Sequence, residues 1–469
     1  MSKDTMKMLA PVVVLLVFWF IPAPVGLSLN AWHFLAVFFA VVVGLIVEPV
    51  PAALVGFAGI SLVAVLGLVD KSSSGNIKWA LSGFSNTVIW LIFAAFMFAL
   101  GYKKTGLGKR ISLIMIKYMG KSSLGLGYAV ALSDLVLSPF MPSNTARSAG
   151  TIYPVASNIP LIFESTPDNN PRKLGAYISW VAIATTCVTS SMFLTALAPN
   201  LLAVDLINQG TGHVITWSAW GSIMIPLMIP LFLLTPLLTY IIYPPTQKTS
   251  PEAPAWAANE LQQLGSITKK EILMGVLALV ALTLWIFGKK FGVHSTTVAI
   301  SVVSIMVLTK IISWDDVISN KAAINVLIWF ASLVAMASGL KKVGILTWVG
   351  KSAEIHLATM TPTMLIISML ILFFILHYFF ASTTAHTTAL MPIFLAIAVK
   401  LIAPEQLVPF SILLAGSLGL MGIITPYATG PSPMWYGAGY IPQGRWWALG
   451  AVFGALYLAT IIIGSLIFI

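Results

Sequence analysis

Residues 137–147 read Leu-Ser-Pro-Phe-Met-Pro-Ser-Asn-Thr-Ala-Arg and interrupt an apolar stretch that begins near Leu124. A second phrase of the same kind, Ser382-Thr383-Thr384-Ala385-His386, lies inside an apolar stretch of the second half of the chain. In each phrase, polar uncharged side chains precede a basic one. Because polar and ionisable groups are costly at membrane depth, the matched pair predicts a binding site for an anion at the interface of two repeats.

The composition defines the class of protein around these phrases. Of the 469 residues, 58% are hydrophobic and 8% are charged, which is too apolar for the surface of a soluble domain and indicates a polytopic membrane protein. Long segments of alternating polarity are missing, so the crossings are predicted as helices rather than barrel strands. The excess of 25 Lys and Arg over 14 Asp and Glu is assigned to loops that set orientation, and no nucleic-acid partner is expected.

Metal and enzyme chemistry find no support in the sequence. Cys187 is the only cysteine, which excludes an intramolecular disulfide and a cysteine-built metal cluster. No catalytic acid–base constellation is evident, so we expect no enzyme activity, no metal and no cofactor. Histidines without metal-ligand spacing are interpreted as interfacial or packing residues; these are His33, His213, His294, His356 and His377.

Apolar runs predict about eleven transmembrane helices in the cell membrane. The basic start of the chain, followed by apolar residues from Met8 to Phe20 without a small-residue cleavage site, predicts an uncleaved first span that enters from the cytoplasm. The basic segment 103–121 is then cytoplasmic as well. The predicted crossings lie near residues 8–23, 31–50, 52–69, 84–102, 176–208, 217–243, 271–288, 292–312, 323–341, 407–440 and 447–468.

Two further apolar segments are predicted to be re-entrant hairpins. The first, at residues 123–163, stops at Pro139 and Pro142, and both of its flanks look cytoplasmic. The second lies at residues 361–402. Irregular backbone at this depth requires burial in protein or a wet cavity, so each tip is expected to line one.

An internal repeat relates the two halves. The phrase Gly101-Tyr102-Lys103-Lys104-Thr105-Gly106 matches Gly339-Leu340-Lys341-Lys342-Val343-Gly344, and the offset is 339 − 101 = 238. Trp90 and Trp329, like Ser143 and Ser382, are 239 apart. The sequence therefore predicts a first repeat at 1–243, a cytoplasmic linker at 244–270 with a short helix near 256–264, and a second repeat at 271–469. An odd number of spans between matching elements predicts that the repeats are inverted.

The hairpin tips are the candidate binding residues. A helix that starts at mid-membrane presents unpaired N–H groups and a positive dipole end, and both attract carboxylate oxygens. The tip side chains add hydrogen-bond donors, although their alternative role is only to cap the backbone. The predicted substrate-binding residues at the tips are Ser143, Asn144, Thr145, Ser382, Thr383 and Thr384.

Arg147 and His386 occupy the same place in the two copies, and both are predicted to help to bind the anion. A charged arginine near mid-membrane needs an anionic neighbour. Either Asp134, which also lies in an apolar run, pairs with Arg147, or the bound anion balances its charge, or each does so at a different stage of the transport cycle. For His386 the alternative is a neutral ring satisfied by hydrogen bonds.

A broken helix follows each hairpin and is predicted to support the site. Proline and glycine interruptions free carbonyls and hydroxyls at membrane depth, where they can bind a cation or the substrate; simple kinks are the alternative. The supporting positions are Thr195, Pro199 and Asn200 in the first half and Thr425, Pro426, Thr429 and Ser432 in the second.

These motifs resemble the divalent anion:sodium symporter family over essentially the whole chain. The segments Trp79–Ser85, Pro142–Arg147 and Thr425–Pro431 are most similar to its exchanger branch, which includes bacterial citrate/succinate and tartrate/succinate antiporters and plastid 2-oxoglutarate/malate translocators. The resemblance implies a homodimer in membrane lipid, with a scaffold part and a transport part that moves like an elevator.

The resemblance also implies a substrate and a coupling mode. In sodium-coupled members both tips carry Ser-Asn-Thr and help to form sodium sites, whereas here Thr383 replaces the second Asn. We therefore hypothesise that Arg147 and His386 supply the charge that sodium supplies elsewhere. The expected function is sodium-independent exchange of small di- or tricarboxylates, such as succinate, malate, 2-oxoglutarate or citrate; the alternative is a sodium-coupled dicarboxylate symporter.

Overall fold

Helices account for the regular structure of this chain. The computed structural model describes residues 3–357 and 359–469, so the first two residues of the predicted first repeat lie outside the described part. Within that part, β structure is limited to one isolated antiparallel bridge between Ser122 and Thr249. The protein is an all-α membrane protein, as the composition predicts.

Twelve helices form the first half. They are α1 (Lys3–Phe20), α2 (Leu29–Val47), α3 (Ala52–Leu66), α4 (Ser73–Ala80), α5 (Thr87–Thr105), α6 (Leu107–Met119), α7 (Ser123–Leu137), α8 (Tyr153–Ala156), α9 (Ile159–Ile162), α10 (Gly175–Met192), α11 (Ala198–Thr211) and α12 (Trp217–Ile242). A π-helical turn at Thr145–Ile152 precedes α8.

Eleven helices follow. They are α13 (Glu252–Leu264), α14 (Lys269–Phe291), α15 (Ser295–Leu308), α16 (Trp314–Ile318), α17 (Lys321–Lys342), α18 (Ile345–Leu357), α19 (Pro362–Leu376), α20 (Thr383–Leu401), α21 (Pro404–Leu420), α22 (Ser432–Gly437) and α23 (Gln443–Phe468). Short 3-10 turns at Ser138–Phe140 and His377–Phe379 end α7 and α19 in the same way.

Ten described helices are long and apolar enough to cross a membrane. Three of them, Ser123–Phe140, Pro362–Phe379 and Thr383–Leu401, are arms of the predicted hairpins, and the other seven coincide with predicted crossings. Three shorter apolar helices, Thr5–Phe20, Ala52–Leu66 and Ser295–Leu308, coincide with further ones. The one predicted crossing that remains, near residues 176–208, corresponds to the interrupted pair α10 and α11. The chain is thus a multi-pass membrane protein.

The order of elements repeats in the two halves. The series α5, α6, α7, 3-10 turn and hairpin tip recurs as α17, α18, α19, 3-10 turn and tip. The broken pair α10 and α11 corresponds to α21 and α22, and the long helix α12 corresponds to α23. The residues between α12 and α14 contain α13, which extends the predicted linker helix. The inverted orientation of the halves, and the division at 243 and 271, stay predictions.

Helix α10 lies at the centre of the hairpins and broken helices. Every one of its 18 residues is buried, although six of them carry Ser or Thr hydroxyls. Hydroxyls in a helix that is buried all round need partners, because an unpaired polar group in an apolar interior is unfavourable. Several of these hydroxyls contact residues of the first hairpin outside its tip, as described below.

The linker is tied to the base of the first hairpin. The Ser250 hydroxyl donates to the Gly120 carbonyl at 2.6 Å, and the Ser123 N–H donates to the Lys248 carbonyl at 3.0 Å. Lys109 on α6 forms an exposed ion pair with Glu260 on α13 at 3.0 Å. The linker and the basic segment 103–121 therefore lie on one face of the molecule.

Candidate functional site between two hairpin tips

The first tip is an extended turn that enters a π-helical turn. The Ser143 hydroxyl accepts the Ala146 N–H at 3.2 Å, which caps the start of this turn. The Asn144 amide donates to the Thr429 hydroxyl at 2.8 Å, across to the broken helix of the other half. Single π turns occur frequently at functional sites, and here the turn extends over Thr145–Ile152, directly after the tip.

Arg147 points away from the tip into a fully buried pocket. Its Nη1 donates to the Met141 and Ala196 carbonyls, each at 2.8 Å, and its Nη2 donates to the Ser190 hydroxyl at 3.0 Å. Its Nε lies 3.1 Å from the Asp134 carboxylate. The structure thus shows the first of the alternatives for this arginine, because Asp134 balances its charge.

Asp134 is held by hydroxyls of α10 on its other sides. Thr186 donates to one carboxylate oxygen at 3.1 Å and Thr189 donates to the other. Thr186 also lies 3.0 Å from the Ser148 hydroxyl, which in turn accepts the Trp435 indole N–H at 2.9 Å. The ion pair therefore belongs to a hydrogen-bond network that joins the first hairpin, α10 and α22.

The second tip has a simpler backbone. Ser382 is the N-cap of α20, and its hydroxyl accepts the Ala385 N–H at 3.4 Å. The hydroxyls of Thr387 and Thr388, one turn further along, bond to the carbonyls of Thr383 and Thr384. The free N–H groups of the first turn of this 19-residue helix therefore point toward the tip.

His386 is buried behind the second tip among aromatic rings. Its ring centroid lies 4.4 Å from that of Phe373, 5.0 Å from His377 and 5.1 Å from Phe380. Neither of its ring nitrogens has a hydrogen-bond partner within residues 3–357 and 359–469. The alternative of a ring satisfied by hydrogen bonds is therefore not what the structure shows. His377 does bond, since its Nε2 donates to the Ala428 carbonyl at 2.8 Å.

The broken helices support the tips from behind. The Thr195 hydroxyl donates to the Pro139 carbonyl at 2.6 Å, and the Ala198 N–H donates to the Pro142 carbonyl at 2.7 Å. The Asn200 amide bonds to the Ser190 carbonyl at 2.7 Å. In this half the interruption is more than a kink, because it satisfies the carbonyls that the hairpin leaves free.

In the second half the interruption spans residues 421–431. The Thr425 hydroxyl accepts the Tyr427 N–H at 3.3 Å, and the Ser432 hydroxyl donates to the Gly422 carbonyl at 3.4 Å. Thr429 receives Asn144 from the opposite tip. Gly430 touches the first tip so closely that an added Cβ would lie 1.9 Å from the Thr145 hydroxyl. Pro426 is half-buried in the same segment.

A cavity of about 400 Å³ lies between the two tips. Predicted residues from both copies line it together, namely Ser143, Asn144, Thr145, Pro199, Ser382, Thr383 and Thr384. The eight other predicted site residues do not line it; these are Arg147, His386, Thr195, Asn200, Thr425, Pro426, Thr429 and Ser432. Direct contact of these eight residues with a bound molecule stays a prediction.

Other lining residues were not predicted as part of the site. Glu48 follows α2, Phe96 lies on α5, and Ala322, Val326, Trp329 and Phe330 lie on α17. The repeat offset does single out Trp329, but its counterpart Trp90 lines a different cavity. For Glu48 the available signal is one acid at the end of an apolar run, directly before Pro49.

Long apolar helices and a cavity between two hairpin tips with polar side chains are features typical of a secondary transporter. The chain belongs to the family described as the sodium:sulfate symporter transmembrane region, whose pattern matches residues 2–468. This result confirms the family resemblance of the motifs and assigns the chain to a class of transporters.

Curated relatives match nearly the full chain. The L-tartrate/succinate antiporters of Shigella sonnei strain Ss046 and of Escherichia coli strain K12 are each 46% identical to it, with 99% of this chain and 98% of theirs covered. Two solved structures share the fold at 14% identity and a TM-score of 0.56. These are the Alcanivorax borkumensis YdaH transporter, for which 88% of this chain and 96% of that chain are covered, and Neisseria gonorrhoeae MtrF, for which the values are 100% and 95%.

Proposed function

We propose that this protein exchanges small di- or tricarboxylates across the cell membrane, independently of sodium and by an elevator mechanism. The observation that carries the proposal is the cavity that both hairpin tips line. A sodium-coupled symporter of the same anions is the second candidate, and it is favoured by the sodium:sulfate description of the family.

The chemistry of the cavity fits a carboxylate. Its polar lining consists largely of hydroxyls and one amide, which can donate hydrogen bonds, and the first turn of α20 adds N–H groups and a positive dipole end. The two tips face one cavity, so the two carboxylates of a short diacid can each meet one tip. Relatives named for tartrate and succinate support this class of substrate.

The surroundings of Arg147 support sodium independence. Its guanidinium bonds to the carbonyl oxygens of Met141 and Ala196, which are the kind of ligand that an alkali cation would take at an unwound segment. A covalently attached cation orders the first tip without any bound ion. At the second tip Thr383 replaces the Asn, and His386 occupies the place of Arg147.

Obligatory exchange follows from the same groups. Without substrate, the donors of both tips would cross the apolar core unsatisfied, and such groups are costly in hydrocarbon. A bound dicarboxylate satisfies them in both directions of travel. We expect the hairpins and broken helices to move as the transport part of a homodimer, with the N-terminus and the linker on the cytoplasmic side.

Purified protein in liposomes tests the proposal. Uptake of labelled succinate should require internal dicarboxylate and ignore a sodium gradient. Ser382→Ala removes the cap of the second tip and should slow uptake, whereas Ser304→Ala, at an exposed position of α15, should not. Sodium-driven uptake into empty vesicles would establish the symporter instead.

A further inference from the structure

Glu48 places a carboxylate in the wall of the anion cavity. The residue follows α2 with a left-handed backbone, φ 47° and ψ 60°, and its N–H bonds to the Gly44 carbonyl at 3.0 Å. Non-glycine residues seldom adopt this conformation, and Pro49 directly afterwards restricts the chain further. The direction of the chain at Glu48 is therefore set by the backbone on both sides.

Glu48 is the one ionisable group among the described residues that line this cavity. Its side chain is exposed, and none of the ion pairs found in the described part of the chain includes it. Arg147 cannot offset it at close range, because Arg147 is paired with Asp134 behind the first tip. The ionisable lining of the cavity is thus one negative charge, although the proposed cargo is itself negative.

We propose that Glu48 limits the charge of the substrate and makes the cavity select dicarboxylates over tricarboxylates. This inference rests on the proposed function, which leaves open the number of carboxylates. Hydroxyl and N–H donors attract each carboxylate locally, whereas repulsion by Glu48 grows in proportion to the total charge of the ligand. Each additional negative charge should therefore weaken binding by about 2- to 5-fold across a partly hydrated cavity.

The same repulsion has a role in turnover. A site made of donors alone would hold a dianion strongly on both sides of the membrane, which slows release. A carboxylate in the wall weakens the bound state without removing any donor that orients the substrate. Glu48 is thus a specificity residue that acts through its field, and it needs no contact with the substrate.

The experiment uses the full-length protein in liposomes at pH 8, where succinate is a dianion and citrate a trianion. Inhibition of labelled succinate exchange is measured with unlabelled succinate and with citrate. In Glu48→Gln, the half-inhibitory concentration of citrate should fall about 2- to 5-fold further than that of succinate. Glu48→Asp keeps the charge and should keep the wild-type ratio, and Glu354→Gln, at an exposed position of α18, is the matched control.

Each outcome is decisive. If the ratio of the half-inhibitory concentrations of citrate and succinate is unchanged in Glu48→Gln, the inference is overturned. This includes an equal gain in affinity for both ligands, which would indicate altered packing. If Glu48→Gln does not fold, wild-type protein in rising salt serves instead, because screening should narrow the gap between the two acids; a constant gap overturns the inference. A wild-type protein that exchanges no dicarboxylate contradicts the proposed function, which is a separate result.

Discussion

The two hairpin tips occupy matching places at the sequence offset of 239, yet the groups behind them differ. Arg147 makes an ion pair with Asp134 and bonds to two carbonyls, whereas His386 has no hydrogen-bond partner in the described part of the chain and packs against aromatic rings. The counterpart of Asp134 at the offset of 239 is Phe373, since 134 + 239 = 373, and Phe373 is the ring nearest to His386.

The two halves differ at both positions of the pair, the acid and the base. In the first half the acid Asp134 accompanies Arg147, which is permanently charged. In the second half Phe373 takes the place of the acid, and the residue at the place of the arginine is His386, which can be neutral. A buried charge is tolerable only with a partner, which accounts for a permanent cation in the half that has the acid. The first tip is therefore held by electrostatics and the second by packing.

The largest expected effect is at Arg147. Arg147→Met removes one partner of a buried ion pair and leaves Asp134 unpaired, which should reduce the free energy of unfolding by about 3 to 5 kcal/mol. Exchange should be lost with it. Thermal melting of purified protein in detergent measures the first effect and liposome uptake the second.

The double variant separates charge from structure. Arg147→Met combined with Asp134→Leu should recover most of the melting temperature, because a buried pair replaced by apolar side chains is often neutral. Exchange should stay low, since the Met141 and Ala196 carbonyls remain without their cation. Full recovery of exchange would show that Arg147 is purely structural.

Asn144 should have the next largest effect. Asn144→Ala removes the hydrogen bond to Thr429 and an amide from the cavity, which should weaken exchange by about 1 to 3 kcal/mol, or roughly 5- to 150-fold. Thr429→Val removes the same hydrogen bond by deleting its acceptor. It should reproduce the part of the loss in Asn144→Ala that is due to the positioning of the first tip. Thr383→Ala, at the matching place in the second tip, tests the asymmetry; an equal loss there would argue against it.

His386 should affect stability less than Arg147 does. Because its ring nitrogens have no hydrogen-bond partner among the described residues, His386→Leu removes no hydrogen bond seen there and should change the free energy of unfolding by less than about 1 kcal/mol. If His386 stands in for a bound cation, exchange should still fall. A melting temperature that drops as far as in Arg147→Met would remove the distinction between the tips.

The smallest effect is expected at an exposed ion pair. Lys104, at the end of α5, lies 2.7 Å from Asp316. This ion pair and the hydrogen bonds of Asp316 with the backbone and side chain of Ser313 lower the pKa of Asp316 to about 2. Because the pKa of Asp316 is lower in the folded protein than its ordinary value of 3.8, the ionised carboxylate stabilises the fold at pH values above 3.8. This stabilisation disappears as the pH falls through about 2. Asp316→Asn at pH 7 should leave melting and exchange nearly unchanged, because exposed pairs contribute little.

Much of the architecture could be predicted from sequence. Run lengths locate the spans, Pro139 and Pro142 locate the first tip, and the repeat offset locates the second tip at Ser382. These are local or periodic signals, and they depend on the fixed rise of a helix and on the interruption of a helix by two prolines three positions apart. Residues of both tips line one cavity, and the prediction that this cavity binds the substrate stays a prediction.

Side-chain direction could not be predicted. Arg147 points away from the cavity toward Ala196, a partner 49 residues further along the chain. Nothing in the spacing of Ser-Asn-Thr-Ala-Arg indicates that direction. Glu48 was missed for a related reason, since its place in the cavity depends on how α2 packs against distant hairpins.

The bond between Asn144 and Thr429 has a consequence for gene architecture. The Asn144 loop is completed by a residue 285 positions later, and Trp435 reaches Ser148 over 287 positions. Neither half could assemble a working translocation pathway alone. Two polypeptides divided within residues 244–251 and produced in one cell should restore it by complementation, whereas either fragment by itself should be inert.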